Sequence, residues 1–275
     1  MKSISSRSNP QVAAFRDLAS TPDADGVRLL LDGAHLVREA HEAGLSFECV
    51  AIVVSALDSG GESAALARAL HADGHQVVTV TEPVLRAISP VKTPSGIVAI
   101  ARRAAPPART LAGDPQALFL VLVDVQDPGN LGALVRVAEA GGVSQVVVCG
   151  VSANPHGWRA LRGSMGSVLR LPIVQFADTG EALKALAASG ARTIAAVPRD
   201  GQTPDDVAWT GRVAIVLGGE GAGLEHEQVA RCDGLVTIPM NPRVESLNVS
   251  AAGAILVYAA RRQRVPSTLR EVARV

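Results

Sequence analysis

The sequence predicts an α/β protein in two parts, and three observations carry that expectation. Strand-like and helix-like segments alternate along the chain, the pattern of packed α/β layers. A stretch with three prolines and few bulky residues, AAPPARTLAGDPQ at 104–116, interrupts them. Directly after it, Leu118–Val123 reads LFLVLV, the unbroken apolar run of a parallel strand buried on both faces. These set the expected boundaries: a first domain over 1–104, a linker over 105–116 and a second domain over 117–275.

In the first domain, Asn9 and Pro10 start a short helix over 9–19, an N-cap followed by proline at the first helical position. A strand over 27–31 leads to a helix over 33–43, with Leu36, Val37 and Ala40 on one face. Strands over 49–54, 76–80 and 97–100 alternate with helices over 62–71 and 83–88.

The second domain continues with a helix over 131–140 and a strand over 145–149. The segment 156–170 sets His156, Arg159, Arg162 and Arg170 between small residues. A helix over 181–188, strands over 193–197 and 213–217, a helix over 224–231 and a strand over 235–238 follow. The last element is a long helix from about Leu247 to Arg264. In it Val249, Ala252, Gly253, Leu256, Val257 and Ala260 recur at helical spacing, Ser246 is the expected cap, and Arg261, Arg262 and Arg264 suit the C-terminal end of the dipole.

Composition narrows the class. With 275 residues, 48% of them hydrophobic, the chain can build a core without disulfides or metal. Cys49, Cys149 and Cys232 lie far apart, which argues against a zinc site or a disulfide framework and fits a reducing cytoplasm. Neither a signal-type segment nor a run of about 18 apolar residues occurs, so no membrane role is expected. Basic and acidic residues balance at 26 each, so any nucleic-acid site must be local.

Three strand exits carry polar, glycine-rich turns: DVQDPGNLGALVR at 124–136, LGGEGAGL at 217–224 and the stretch from Ile238 into the last helix. Ligands of parallel sheets collect outside the carboxyl ends of the strands, so three such exits imply one site. Gly129 and Gly132 do not make a dinucleotide fingerprint, and no phosphate-binding G-x-x-x-x-G-K-[ST] loop occurs. A G-x-S-x-G elbow is also missing, and His226-Glu227 lacks the second histidine of a zinc protease. What remains is Asn130, Arg136, Glu220, Ser246 and Asn248, without a metal cluster or a covalent nucleophile. Such a set suits the positioning and charge stabilisation of a reaction driven by its cosubstrate.

These residues resemble the SpoU, or TrmH-type, class of SPOUT RNA 2′-O-ribose methyltransferases. The first motif, N-x-G-x-x-x-R-x-A, matches Asn130 to Ala138; the second, L-G-x-E-x-x-G-L, matches Leu217 to Leu224; the third matches Ile238-Pro239-Met240 and Ser246 to Ser250. The opening S-R-x-N-P at Ser6–Pro10 and LLLDGAHLVREA resemble the family's L30e-like RNA-binding domain. Asp32 stands there where glutamate is usual, and Ser95 where glutamine often precedes Gly96.

The resemblance implies an L30e-like N-terminal domain, then a parallel-sheet SPOUT domain whose C-terminal segment forms a trefoil knot. It implies S-adenosylmethionine held by Leu217, Gly218, Gly219, Glu220, Gly221, Ile238, Met240, Ser246 and Leu247, with backbone close to the ligand at the glycines. Arg136 is the residue the family assigns to the 2′-hydroxyl. Because arginine side chains stay protonated, binding of the adjacent phosphate and the hydroxyl is the expected role, with action as a base under strong perturbation as the alternative. Asn130 would fix the arginine or the RNA, and Glu220, Ser246 and Asn248 would hold that network. Arg159, Arg162 and Arg170 are candidates for contacts to the RNA backbone, with a solvated helix face as the alternative. The implied activity is methylation of a ribose 2′-hydroxyl in structured RNA, ribosomal RNA of the 23S type first. A transfer RNA enzyme and a catalytically inactive RNA-binding assembly factor are the alternatives. A homodimer is expected through the apolar face of Ala251, Ala254, Ile255 and Tyr258.

Overall fold

The computed structural model describes residues 1–104 and 110–264. The first run of elements is β1 (Lys2–Ile4), α1 (Pro10–Ser20), β2 (Arg28–Asp32), α2 (Ala34–Glu42), β3 (Ser46–Val53), α3 (Val54–Asp58), α4 (Glu62–Ala72), β4 (Val77–Val80), α5 (Glu82–Ile88) and β5 (Ile97–Arg102). Then come β6 (Leu118–Val123), α6 (Pro128–Gly141), β7 (Gln145–Cys149), α7 (Trp158–Ser164), α8 (Ser167–Arg170), β8 (Ile173–Phe176), α9 (Thr179–Ala188) and β9 (Arg192–Ala196). The chain closes with β10 (Val213–Gly218), α10 (His226–Ala230), β11 (Gly234–Val236) and α11 (Val249–Arg264).

The chain packs as two compact units, one of Met1–Pro107 with Asn154–Arg170, the other of Ala108–Ala153 with Leu171–Val275. In the first, a mixed sheet of order β1-β4-β3-β5-β2 has β5 antiparallel to both its neighbours. The side chain of Asn9 caps α1 by accepting from the Gln11 N–H at 2.9 Å. Val12, Phe15 and Leu18 of that helix enter a core with Leu30, Val84 and Ile88, and Trp158 packs against the same cluster. His156 is buried in this unit, where its Nε2 accepts from Arg103 at 2.6 Å.

The second unit is built on a six-stranded sheet of order β11-β9-β10-β6-β7-β8, every pairing parallel. From β6 the chain runs outward through β7 to β8, and from β10 it leaves toward β11 on the opposite side. The adjacent exits of β6 and β10 therefore diverge, which opens a crevice at the switch of strand order. Helices α6 and α11 pack closely, because a side chain at Gly253 would overlap Leu134. The buried residues of α11 are Val249, Gly253, Leu256, Val257, Ala259 and Ala260.

Part of the expected linker, residues 105–109, lies outside the described residues. The rest is fastened to the second unit: Gln145 donates to the Thr110 carbonyl at 3.0 Å and accepts from the Ala112 N–H at 2.8 Å. Arg212 donates to the Asp114 carbonyl at 3.0 Å.

Candidate active site

The site grows from the switch between β6 and β10. Asp127 caps α6, and its Oδ1 accepts the Asn130 N–H at 2.8 Å. That fixes the backbone of Asn130 at the helix start, with its side chain free to face the exit of β10. There its Nδ2 donates to Glu220 Oε1 at 2.5 Å. An ionised carboxylate only accepts, so the amide nitrogen faces Glu220 and Asn130 Oδ1 faces the other way. On that side it accepts from Asn248 Nδ2 and from Ser250 Oγ, each at 3.2 Å. Asn248 in turn caps α11, its Oδ1 accepting from the Ser250 N–H at 2.8 Å. One asparagine thus ties together the starts of α6 and α11 and the loop after β10.

Ser246 was the expected cap of the last helix. The helix instead begins at Val249 and Asn248 performs the capping, with Ser246 exposed in the preceding loop. An asparagine directly before the first helical residue reaches the free N–H groups, whereas a serine three residues away does not.

Beside this network lies a cavity of about 620 Å³, within the usual range for a small-molecule site. It is lined by 217–224 at the end of β10 and beyond, by Ile238, Met240 and 245–249 leading into α11, by Ala196–Pro198 at the end of β9, and by Val236 and Ala252. All nine residues expected to hold the cofactor line this cavity. Two of the glycines there also meet their own chain. A side chain at Gly218 would overlap the Gly223 backbone, and one at Gly219 the Asp124 carbonyl, so the loop is pressed against its own chain.

Asp124 is itself unusual, a non-glycine residue at φ 56° at the exit of β6. Its carboxylate accepts from the Val151 N–H at 2.7 Å. The residue joins the exits of β6 and β7, and its carbonyl backs the Gly219 turn.

Arg136 stands apart. Six residues beyond Asn130 on α6, it lies about 9 Å further along the axis and roughly 120° around it. It is exposed and, among the described residues, has no hydrogen-bond or ion-pair partner. Of the expected RNA contacts, Arg159 lies over the Trp158 ring at 5.0 Å and Arg170 pairs with Glu39, while Arg162 is exposed. All three belong to the first unit.

Sequence reasoning missed Ser250 within the network, Ala196–Pro198 in the cavity wall and Asp124 behind the loop. Ser250 sat in a quoted motif; the wall segment carried no motif at all.

The SpoU rRNA methylase family model matches residues 117–258, which contain this site, and an MRM3-like substrate-binding domain matches residues 25–99. A 23S rRNA guanosine 2′-O-methyltransferase of Bacillus subtilis is 30% identical over 94% of this chain and 98% of its own. The chain belongs to the SpoU family. Among solved structures, an RNA 2′-O ribose methyltransferase is 30% identical with a TM-score of 0.81, covering 95% of this chain and 99% of that one. An rRNA methyltransferase from Sinorhizobium meliloti, with S-adenosylmethionine bound, is 27% identical with a TM-score of 0.82 and covers 96% and 99%. The protein is an S-adenosylmethionine-dependent RNA ribose methyltransferase with a SPOUT fold.

The cavity fits that cofactor on its own chemistry. Leu217, Ile238, Met240 and Leu247 supply apolar surface, the 218–223 turn supplies backbone polar groups, and the Glu220 and Glu245 carboxylates supply negative charge for a sulfonium cation.

Proposed function

We propose that this SpoU enzyme methylates one ribose 2′-hydroxyl of large-subunit ribosomal RNA, in the cytoplasm. The observation that carries the site assignment is the Asn130–Glu220–Asn248–Ser250 network at the rim of the 620 Å³ cavity. The substrate assignment draws on the ribosomal RNA activity of the B. subtilis relative.

S-adenosylmethionine supplies an electrophilic methyl group, so the residues need only place the hydroxyl in line and hold the charge that develops. Leu217, Gly218, Gly219, Glu220, Gly221, Ile238, Met240, Ser246 and Leu247 hold the cofactor. Asn130, fixed from both sides, sets the rim against which the target nucleotide rests, and Asn248 keeps the last helix in register with it. Arg136, a planar fork of donors, binds the phosphate beside the target ribose and the hydroxyl oxygen.

The exposure of Arg136 supports a homodimer in which the arginine serves a site completed by the second subunit. The outer face of α11 supports the same reading: Ile255 and Tyr258, three residues apart, are 42% and 46% exposed, on a helix whose other face is buried. The C-terminal segment from β10 to α11 is read as the trefoil knot of the family, and the first unit as the part that binds RNA.

The test is complementation. Asn130→Ala should slow methyl transfer to a 23S ribosomal RNA transcript by about a hundredfold and Arg136→Ala should abolish it, and both should leave S-adenosylmethionine affinity within a few-fold. Mixing the two proteins after separate purification should recover part of the activity if the arginine acts across subunits. A mixture as inactive as its components, with hybrid dimers demonstrated by native mass spectrometry, would return Arg136 to its own chain.

A further inference from the structure

A second cavity, of about 380 Å³, lies wholly within the first unit, between the turn from β2 to α2, the segment before β5 and the end of α7. Nothing in the methyl-transfer chemistry uses it. Its lining brings three kinds of group together.

The first is an acceptor. Asp32 is half-buried; its Oδ2 accepts from Ser89 Oγ at 2.7 Å, and Oδ1 has no hydrogen-bond partner among the described residues. Burial raises this carboxyl, against the opposing effects of Ser89 and of the nearby Arg162 charge. The second is a cation, the exposed Arg162 guanidinium. The third is apolar surface: Met165 is 41% exposed and sits at φ 50°, a left-handed conformation that costs a methionine energy. Thr93 and Ser95, His35, and the start of α4 with Ser63 and Glu62, whose carboxylate is paired with Arg38, complete the wall. Asp32 and Ser95, from two different segments, both line this cavity.

A carboxylate can only accept hydrogen bonds. Among the bases, guanine alone offers two adjacent N–H donors, N1–H and the N2 amino group, on its Watson–Crick edge. A guanidinium takes a phosphate, and an exposed apolar side chain covers a base face. The geometry points to a binding site for one unpaired guanosine of the RNA, its base edge on Asp32, its face on Met165 and its phosphate on Arg162, distinct from the nucleotide that is methylated. This rests on the RNA reading given above, and it makes Asp32, Arg162 and Met165 determinants of substrate choice.

The experiment uses the whole chain, tritiated S-adenosylmethionine and an unmodified 23S ribosomal RNA transcript. Ser95→Gln, which fills the cavity from an exposed position, and Arg162→Ala, which removes the cation, are compared with the wild type. In each, KM for the transcript should rise about tenfold, the loss expected for one base contact, with kcat within about twofold and cofactor affinity unchanged. Saturation-transfer NMR with guanosine 5′-monophosphate, at saturating S-adenosylmethionine, should give a signal that both variants lose and that adenosine 5′-monophosphate does not match. A KM unchanged in both variants would overturn the site and leave the cavity to a protein partner. A wild type that methylates no transcript would instead refute the RNA reading itself, so the two failures are distinguishable.

Discussion

Asn130 donates to Glu220 across two neighbouring strand exits, at 2.5 Å, while its amide oxygen accepts from Asn248 and Ser250. The hydrogen-bond polarity of the whole rim therefore depends on one side chain having both a donor and an acceptor. Asn130→Asp removes the donor and sets two carboxylates against each other. Methyl transfer should fall further in this variant than in Asn130→Ala, by about tenfold, since like charges at this range are costly. Steady-state kinetics on the two proteins checks this; equal rates would mean that the donor to Glu220 has no bearing on turnover.

Gly219→Ala should weaken S-adenosylmethionine binding by at least about tenfold, because the added methyl would overlap the Asp124 carbonyl and push the cavity-lining turn outward. Isothermal titration reads this directly. Binding at wild-type strength would show that the turn can shift without reshaping the cavity.

Acid stability should carry the signature of one buried histidine. Burial first, then the Arg103 charge beside it, depresses His156 from 6.5 to about 3. Between those values the unfolded chain binds a proton that the folded chain refuses. Stability therefore falls as pH drops through that window, by at most about 1.4 kcal/mol per pH unit from this group. Urea unfolding at pH 7.5 and pH 5.0 should show a smaller loss for His156→Gln, whose amide can still accept from Arg103. An identical loss in both proteins would exclude the histidine as its source.

Deleting residues 1–108 should leave more than a simple catalytic fragment. Ala160, Leu161 and Val168 are fully buried in the unit that the deletion removes, although their sequence lies between β7 and β8. The fragment should expose them and bind a hydrophobic dye unless 154–170 is shortened as well. A fragment with no dye binding would show that this segment repacks on its own unit.

Much of this was legible in the sequence because the site is built from strand exits, and polar residues after apolar runs stand out. Leu118–Val123 announced its strand, and Asn130, Glu220 and Asn248 marked the exits that meet. Other features left no local trace. The three-residue β1 and the short β8 are held by pairing with β4 and β7, not by a pattern of their own. The α3 helix carries no buried residue, so it has no periodic face to read. Arg159, Arg162 and Arg170 looked like part of the second domain because chain order placed them there, whereas packing assigns them to the first. Ser246 and Ser250 are equally polar neighbours of a helix start; which one joins the network depends on where Asn130 sits, 120 residues away from Ser250.

The central claim is ribose methylation of large-subunit ribosomal RNA from this site. The most direct test incubates the full-length protein with labelled S-adenosylmethionine and an unmodified 23S ribosomal RNA transcript, then maps the label by nuclease digestion and mass spectrometry. One 2′-O-methylated nucleotide at a single position, absent with Arg136→Ala, is the predicted result. Label on a base, or no label despite cofactor binding, would contradict it.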